Sequence, residues 1–130
     1  MSKSKTIRLN VREVPGMGRG VFAGEPIKKG QVIETCPVIP LPKEDVKKLT
    51  DTVLDKYLFA WGEDLDDCCV TLGLGSLYNH SSTPNAVACR VVSRNEMEFI
   101  ALRDISTGEQ ILTDYEWEEH EYNFPRDGTP

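Results

Sequence analysis

Short runs of alternating hydrophobic and polar residues recur along the chain, and a period of two is typical of β-strands with one buried face. In the first run, Ile7, Leu9 and Val11 alternate with charged or polar residues. Further strands are predicted at positions 21–23, 31–36, 68–72 and 109–115. Residues 86–93 and 97–102 flank a polar turn at 94–96 and are predicted to pair as a hairpin.

A helical pattern is confined to the middle of the chain. Lys43–Leu49 has helical composition, and Val46 and Leu49 are spaced to share one face. Residues 51–61 fit two structures, because their apolar positions match a helical stripe while residues 57–61 read equally well as a buried strand. Many short strands, little helix and frequent glycine and proline together predict a mainly β domain.

Three glycines fall within five residues at positions 16–20, directly after Pro15. We predict a loop over residues 15–20, whose main chain can take positive φ angles and let a ligand approach closely. A glycine pattern of this kind binds dinucleotide phosphates where it opens a helix, whereas this one precedes the apolar run at 21–23. Dinucleotide binding is therefore not expected.

The chain has 130 residues and 39% hydrophobic content, which suits one domain that buries roughly two thirds of its unfolded surface. We place this domain at residues 7–122, between flexible tails at 1–6 and 123–130. The four cysteines lack the C-x-x-C spacing of a zinc site, so we expect reduced thiols and no metal. No run approaches the roughly 20 apolar residues of a membrane span. We expect an intracellular protein, cytoplasmic or nuclear, or one of the host nucleus if it comes from a pathogen or virus.

Charge is distributed unevenly along the chain. Residues 1–50 carry ten Lys/Arg against five Asp/Glu, a net of +5, and residues 51–130 carry five against sixteen, a net of −11. The total of −6 argues against nucleic acid as the main partner, because a phosphate backbone is bound by clustered Lys/Arg. It suits a basic partner, although these acids could equally serve only to solvate the fold.

The densest group of small and polar residues is LGLGSLYNHSSTPN at positions 72–85. Its apolar start runs directly into Asn79, His80 and two hydroxyl side chains, and Pro84 and Asn85 end it in a turn. Polar residues are rarely packed so closely for structural reasons alone. We therefore predict that this segment lines a site.

Three motifs stand in a fixed order: GRG at 18–20, YNHS at 78–81 with PN at 84–85, and GEQI at 108–111 ending in DY at 114–115. Together they resemble the motifs of the SET-domain protein-lysine methyltransferases over about residues 7–122. The compact size and the YLF segment at 57–59 are most similar to the small viral members. The resemblance implies several small curved β-sheets with short helices, and a C-terminal pseudoknot that brings Asn79 and His80 beside Tyr115.

The resemblance also implies an activity. Its members transfer a methyl group from S-adenosyl-L-methionine to a lysine, and a narrow channel joins the cofactor face to the peptide face. We accordingly expect a protein-lysine N-methyltransferase whose partner is a basic lysine-containing peptide, with a histone or histone-like tail as the candidate. Tyr115 is the expected catalytic residue. The expected cofactor-binding residues are Met17, Gly18, Arg19, Asn79, His80, Tyr115 and Trp117, and the expected substrate-channel residues are Tyr57, Tyr78 and Thr113.

The resemblance implies a specific contact for each of the main cofactor-binding and catalytic residues. The main chain of residues 17–19 would cradle the methionine part of the cofactor, the Asn79 side chain would hold its amino or carboxylate end, and the main chain of His80 would read the adenine. The phenol of Tyr115 would orient the amine and the methyl group, which is a matter of positioning and not of nucleophilicity. No metal or strong base is needed for this transfer.

Two departures from the family pattern affect what is expected. Many members have Phe or Tyr two residues before the catalytic tyrosine, where its bulk limits the number of methyl groups added, but this chain has Thr113. The zinc-binding cysteine cluster that closes the channel in some members is also missing. The aromatic tail after Tyr115 would then have to close the channel, or the site would stay partly open. A homodimer partner is expected as a further way to complete the peptide groove.

Two other functions fit parts of the sequence. The chain could be a catalytically inactive SET-fold peptide-binding module, although Asn79, Tyr115 and the glycine loop are all present. It could also be a thiol hydrolase that uses Cys89 or Cys68 with His80 or His120, for which the residue inventory is the sole support.

Overall fold

A computed structural model describes residues 6–62 and 67–115. Its strands, numbered in chain order, are β1 (Leu9–Val14), β2 (Gly18–Ala23), β3 (Val32–Leu41), β4 (Phe59–Trp61), β5 (Asp67–Thr71), β6 (Asn79–His80), β7 (Ala86–Val91), β8 (Glu96–Ala101) and β9 (Leu112–Thr113). The helices of the described residues are α1 (Lys43–Leu49) and short 3₁₀ turns at Val53–Tyr57, Gly75–Leu77 and Val92–Arg94. The prediction of a mainly β chain with short helices is confirmed.

Strands β1 and β2 form an antiparallel hairpin in which Val14 faces Gly18. The loop predicted over residues 15–20 is therefore shorter than expected, because the second and third glycines already belong to β2. The turn closes with a hydrogen bond of 3.0 Å from the Met17 N–H group to the Val14 carbonyl oxygen. Gly16 and Gly18 have φ angles of +78° and +76°, which explains the glycines at both positions.

A five-stranded antiparallel sheet in the order β4-β5-β3-β8-β7 forms the centre of the molecule. The strand predicted at 31–36 continues further than expected and is one ten-residue strand, β3. The predicted hairpin is confirmed as β7 and β8, whose turn places Asn95 in the left-handed region. Residues 51–61 combine both expected structures, a 3₁₀ turn at Val53–Tyr57 followed by strand β4.

The C-terminal segment of the described chain runs along β2 and then meets β6. The main chain of residues 108–111 exchanges hydrogen bonds of 2.7–2.9 Å with Val21 and Ala23 of β2. Strand β9 then pairs in parallel with β6, so that Asn79 faces Leu112 and His80 faces Thr113. The strand predicted over 109–115 is thus reduced to two residues, because residues 109–111 bond to a different partner than residues 112–113 do.

Asn85 holds this C-terminal segment in place. Its Nδ2 donates to the Gln110 carbonyl oxygen at 2.9 Å, and its Oδ1 accepts from the Leu112 N–H group at 2.8 Å. The side chain is 2% exposed, and both ends of its amide are used. A buried amide with both ends paired fixes the register of the segment that leads to Tyr115.

The core lies between the central sheet and the segment before β6. Phe99 of β8 is fully buried and stacks on the ring of Tyr78 at 4.3 Å between centroids. No disulfide joins the four cysteines, all of which are described, and Cys36, Cys69 and Cys89 are buried. Within the described residues, no helix combines the length and the apolar composition that crossing a bilayer requires. The predicted tail boundaries at residues 6 and 122 stay predictions, and residues 116–130 lie outside the described part.

Candidate active site

A cavity of about 200 Å³ lies where β2, the 3₁₀ turn before β4, and the paired strands β6 and β9 converge. Its walls contain most of the residues that the sequence singles out, namely residues 17–19, Tyr57, Tyr78, Asn79, Thr113 and Tyr115. His80 is not among the wall residues, and Trp117 lies outside the described residues. Segments separated by up to about a hundred positions in the sequence therefore meet at this cavity.

Tyr115 is fixed at both its main chain and its side chain. Its hydroxyl donates a hydrogen bond of 2.5 Å to the main-chain carbonyl oxygen of Tyr78. Its N–H group donates to Nδ1 of His80 at 2.9 Å, and the two rings lie 5.1 Å apart. The phenol of Tyr115 thus points towards the segment that carries Asn79 and His80.

Burial raises the pKa of the Tyr115 phenol, and the nearby Tyr57 phenol raises it further. Raising the pKa of a phenol favours its neutral form. At physiological pH the Tyr115 hydroxyl is therefore protonated, with a proton to donate to the Tyr78 carbonyl oxygen and lone pairs to accept from a ligand.

The imidazole of His80 holds the main chain of Tyr115 in place by a hydrogen bond. Its Nδ1 accepts the Tyr115 N–H group, which requires the form of the imidazole without a proton on that nitrogen. Oδ1 of Asp114 lies 3.8 Å from the same Nδ1. The imidazole hydrogen-bonds within the fold, where its Nδ1 is occupied by the contact with Tyr115.

Asn79 lies on the cavity wall with 9% of its surface exposed. Its Nδ2 donates to the Arg19 carbonyl oxygen at 3.1 Å and to Oε1 of Gln110 at 2.8 Å. Its Oδ1 is the polar atom that remains for a ligand among the described contacts. Asn79 therefore connects the glycine hairpin to the C-terminal segment at the cavity.

The side chain of Tyr78 lies in the core, with 2% of its surface exposed. Its hydroxyl donates to Oε1 of Glu34 at 2.6 Å, while Oε2 of Glu34 accepts the Leu74 N–H group at 3.0 Å. Burial, reinforced by the Glu34 carboxylate, raises the pKa of Tyr78 well above the usual tyrosine range. The ring predicted to form a channel wall is packed beneath the wall, and the carbonyl group of Tyr78 is what meets Tyr115.

Sequence reasoning missed Glu34 and Gln110 as parts of the site. Glu34 interrupts an otherwise apolar strand, VIETC at 32–36, and a lone acid in a half-buried strand is a signal that could have been used. Gln110 carries no comparable signal, because its role depends on a neighbour 31 residues away.

Charge at the cavity is mainly positive among the described residues. Arg19, Lys56 and Arg90 lie in its walls, against the single acid Asp114. Nε of Arg90 donates to the Ala60 carbonyl oxygen at 2.9 Å, which fixes that cation beside β4. Several acids of the sequence, at positions 63–66 and 116–121, lie outside the described part.

The described cysteines and His80 do not support the alternative function of a thiol hydrolase. Burial and the nearby Asp67 carboxylate raise the pKa of Cys68, whereas a nucleophilic thiol needs a lowered one. Cys89 is 1% exposed, and Nδ1 of His80 is taken by Tyr115. His120 lies outside the described residues. The described part of the chain also contains no group of three or more His, Cys, Asp or Glu side chains that could hold a metal ion.

Comparison with known proteins gives consistent matches. A family model of the SET domain matches residues 18–116. The chain is 36% identical over 108 residues to the histone-lysine N-methyltransferase, H3 lysine-37 specific, of Schizosaccharomyces pombe, a match that covers 82% of this chain and 72% of that protein. It is 28% identical over 117 residues to the N-lysine methyltransferase KMT5A-A of Danio rerio, covering 81% of this chain and 34% of that longer protein.

A solved structure is similar over most of both chains. It is that of a candidate histone methyltransferase from Plasmodium falciparum, with a TM-score of 0.68 and 31% sequence identity. The match covers 89% of this chain and 98% of the other. At this identity and coverage the two chains share their overall fold.

Proposed function

The chain belongs to the SET-domain family, and from this premise we propose that it is an S-adenosylmethionine-dependent protein-lysine N-methyltransferase acting on a basic peptide, with a histone or histone-like tail as the candidate substrate. Relatives named as histone-lysine and N-lysine methyltransferases support the enzyme class. The observation that carries the proposal is the placement of the Tyr115 phenol on the Tyr78 carbonyl oxygen, beside Asn79 and at the wall of one cavity.

The residues of the cavity fit S-adenosylmethionine. Gly18 has a positive φ angle, and an added Cβ atom there would meet no atom within 4 Å, so the main chain at Gly18 is open to a ligand. Oδ1 of Asn79 offers an acceptor at the same wall. When bound, the cofactor supplies a methyl group on a positively charged sulfur, which an amine can displace. We propose that residues 17–19, Asn79, the main chain of His80, Tyr115 and Trp117 hold it.

The lysine that receives the methyl group has to lose its proton first. An exposed lysine has a pKa of about 10.4, and lowering this by about three units corresponds to roughly 4 kcal/mol. Leu58, Phe59 and Leu77 line the cavity and would disfavour the ammonium form by desolvation. The cations Arg19, Lys56 and Arg90 act in the same direction by repulsion. The positive charge of the walls thus favours the reactive amine, although it does not help to attract a basic peptide.

Tyr115 positions the reacting groups. Its hydroxyl proton is directed to the Tyr78 carbonyl oxygen, so the lone pairs of the phenol oxygen can accept an N–H bond from the neutral amine. A raised pKa keeps the phenol from acting as a base near neutral pH. Its contribution is then orientation and electrostatic stabilisation, supplied by a group that is already in place.

The three expected substrate-channel residues contribute to the proposed site in different ways. Tyr57, on the 3₁₀ turn before β4, is 39% exposed at the cavity and remains our candidate for a channel wall. For Tyr78 we propose the main-chain carbonyl group in place of the ring. Thr113, in the cavity wall, is 2% exposed and leaves more room than an aromatic side chain would. A histone tail as substrate would place the protein in the nucleus of its own cell or of an infected host.

The direct test is methyl transfer to lysine-containing peptides. The protein is incubated with S-adenosylmethionine and a set of histone-tail peptides, and mass spectrometry records added methyl groups. A parallel reaction contains S-adenosylhomocysteine, which has no methyl group to give. Transfer that requires the methyl donor is expected. Cofactor binding by calorimetry without any transfer would support the inactive binding module, and the absence of both would reject the proposal.

Whether a second copy completes the peptide groove is a separate question. We propose a homodimer in which the second copy completes this groove. Sedimentation equilibrium at the concentration of the assay measures the mass directly. A monomer with full activity would exclude the dimer and leave the enzymatic proposal intact.

A further inference from the structure

Lys56 is the one lysine of the described residues that lies in the cavity wall. The other described lysines, at positions 28, 29, 43, 47 and 48, are not among the wall residues. The remaining wall cations, Arg19 and Arg90, carry guanidinium groups, which stay protonated and offer no lone pair to a methyl donor. A cavity that transfers methyl groups to lysine therefore has an acceptor of the right chemical class in its own wall.

The ammonium group of Lys56 is available for reaction. Its side chain is exposed, and among the contacts of the described residues it forms no hydrogen bond or ion pair. Nε of Arg90, by contrast, is held by the Ala60 carbonyl oxygen at 2.9 Å. Lysine carries its charge at the end of a flexible four-carbon stem. Nζ of Lys56 can therefore change position without breaking a described contact.

Lys56 also lies close to the proposed catalytic residue. It directly precedes Tyr57 in the 3₁₀ turn Val53–Tyr57, and both residues are in the cavity wall. The phenol of Tyr57 is near enough to Tyr115 to raise the pKa of that phenol. Because the Cα atoms of neighbouring residues are about 3.8 Å apart, the stem of Lys56 starts within one residue of a group that acts on Tyr115.

The turn that carries Lys56 is not anchored by buried side chains. None of its five residues is buried, and Val53 and Leu54 are 76% and 48% exposed. Segments with few buried apolar contacts open locally at the lowest cost in free energy. The turn can therefore adjust to carry Nζ of Lys56 towards Tyr115 when no peptide fills the cavity.

We propose that Lys56 is a methyl acceptor of its own molecule, so that the enzyme methylates itself at the cavity wall in the absence of peptide. This inference rests on the proposed function. Once the Lys56 ammonium has lost a proton to water, the lone pair of Nζ forms a bond to the methyl carbon of S-adenosylmethionine. The bond between this carbon and sulfur breaks, and its electron pair stays on the sulfur of S-adenosylhomocysteine. Methylated Lys56 keeps its ability to carry charge and adds bulk to the wall.

The first test maps methyl groups on the parent chain after incubation with S-adenosylmethionine and no peptide. Cleavage after acidic residues releases residues 56–63, KYLFAWGE, in which Lys56 is the only lysine. Tandem mass spectrometry then locates the methyl group. Lys48, on α1 and not among the wall residues, is the internal control in the same digest. A parallel sample contains S-adenosylhomocysteine in place of the methyl donor.

Methylation of Lys56 that requires the methyl donor is expected, with Lys48 unmodified and with less product when a saturating histone-tail peptide competes for the cavity. An unmodified Lys56 in a preparation that methylates the peptide would overturn the inference and leave the proposed function intact. Equal modification of Lys56 and Lys48 would overturn it as well. If neither Lys56 nor any peptide gains a methyl group, the proposed function itself fails.

The second test separates transfer within one molecule from transfer between molecules. The parent chain is mixed with an equal amount of Tyr115→Phe, which retains Lys56, and intact-mass spectrometry distinguishes the two chains by one oxygen atom. Methyl groups are expected on the parent chain, with at least about 100-fold slower labelling of Tyr115→Phe, because its own site lacks the phenol hydroxyl. Equal labelling of both chains would show that Lys56 is modified by another molecule and would overturn the proposal.

Discussion

The phenol of Tyr115 donates its hydrogen bond to the main-chain carbonyl oxygen of Tyr78, immediately before Asn79 and His80. The bond can form because β6 and β9 pair in parallel and because Asn85 fixes the register of the segment that ends at Tyr115. A hydroxyl with its proton already directed has its lone pairs free to face a substrate amine. The proposed catalytic role of Tyr115 therefore depends on the hydrogen bond between its hydroxyl and the Tyr78 carbonyl oxygen.

The first prediction concerns the loss of the Tyr115 hydroxyl. Tyr115→Phe retains the ring and loses both the donor to Tyr78 and the acceptor for the amine. Turnover is expected to fall by about 100-fold or more, the usual effect of deleting one preorganised hydrogen-bonding group. The measurement is the initial rate of methyl transfer to a histone-tail peptide.

The affinity of Tyr115→Phe for S-adenosylhomocysteine serves as the control for folding. We expect it to stay near that of the parent, since Asn79 and residues 17–19 are unchanged. A variant that keeps the full rate of transfer would remove Tyr115 from its proposed role.

The second prediction concerns His80, which acts through Tyr115. His80→Ala deletes the acceptor of the Tyr115 N–H group, whereas His80→Asn places Oδ1 close to the former position of Nδ1. Loss of one hydrogen bond of about 1 kcal/mol corresponds to roughly fivefold, so His80→Ala should lower turnover by about that factor. His80→Asn should recover most of the rate.

His80 could hold the main chain of Tyr115, or its imidazole could take part in the reaction. Steady-state kinetics with both variants separates these two roles. Rescue by asparagine supports a role in holding the main chain of Tyr115. If both variants lose activity equally and to a large extent, the imidazole takes part in the reaction in a way that the structure does not indicate.

The third prediction concerns the number of methyl groups transferred. Thr113 is buried at the cavity wall, two residues before Tyr115. Thr113→Phe would fill space next to the phenol, and a methylated amine needs that space to bind a second time. Mass spectrometry of the products is expected to shift towards monomethyl-lysine, while the matched variant Thr113→Val, of nearly the same volume, keeps the parent distribution. Equal product distributions in all three proteins would contradict a role of Thr113 in limiting methylation.

The local fold was largely predictable because short-range patterns control it. Alternation at Ile7, Leu9 and Val11 predicts a strand, and the turn at Arg94, Asn95 and Glu96 predicts the hairpin of β7 and β8. The meeting of Asn79 and His80 with the segment before Tyr115 was expected from the family resemblance and not from the pattern of the residues. Residues 51–61 were ambiguous because they do contain two kinds of structure, a 3₁₀ turn and strand β4.

The errors share a physical cause, which is dependence on distant partners. Gly18 lies in a strand because Val14 pairs with it, and β9 is short because residues 109–111 bond to β2 while residues 112–113 bond to β6. The roles of Glu34 and Gln110 likewise arise from contacts with Tyr78 and Asn79 across the fold. Sequence periodicity contains no information about such contacts, so these features had to come from the structure.

The fourth prediction concerns the buried pair of Tyr78 and Glu34, which holds the segment before β6 against β3. Tyr78→Phe keeps the ring on Phe99 and deletes the hydroxyl, leaving Oε1 of Glu34 without its donor. The free energy of unfolding is expected to fall by about 1–3 kcal/mol, the cost of leaving one partner of a buried hydrogen bond unsatisfied. Tyr57→Phe, which removes an exposed hydroxyl, should change it by no more than about 0.5 kcal/mol. Urea unfolding at pH 7 measures both.

The same variant also tests the raised pKa of Tyr78. Because the folded-state pKa lies above the unfolded value of about 10, the contribution of this tyrosine is fully present below pH 10 and is lost as pH rises beyond it. The unfolded chain releases the phenol proton first, which favours unfolding. Between pH 8 and pH 11 the parent chain should therefore lose more stability than Tyr78→Phe. A stability loss of the same size in the two proteins would mean that the hydroxyl of Tyr78 titrates as an exposed phenol does and is not held by Glu34.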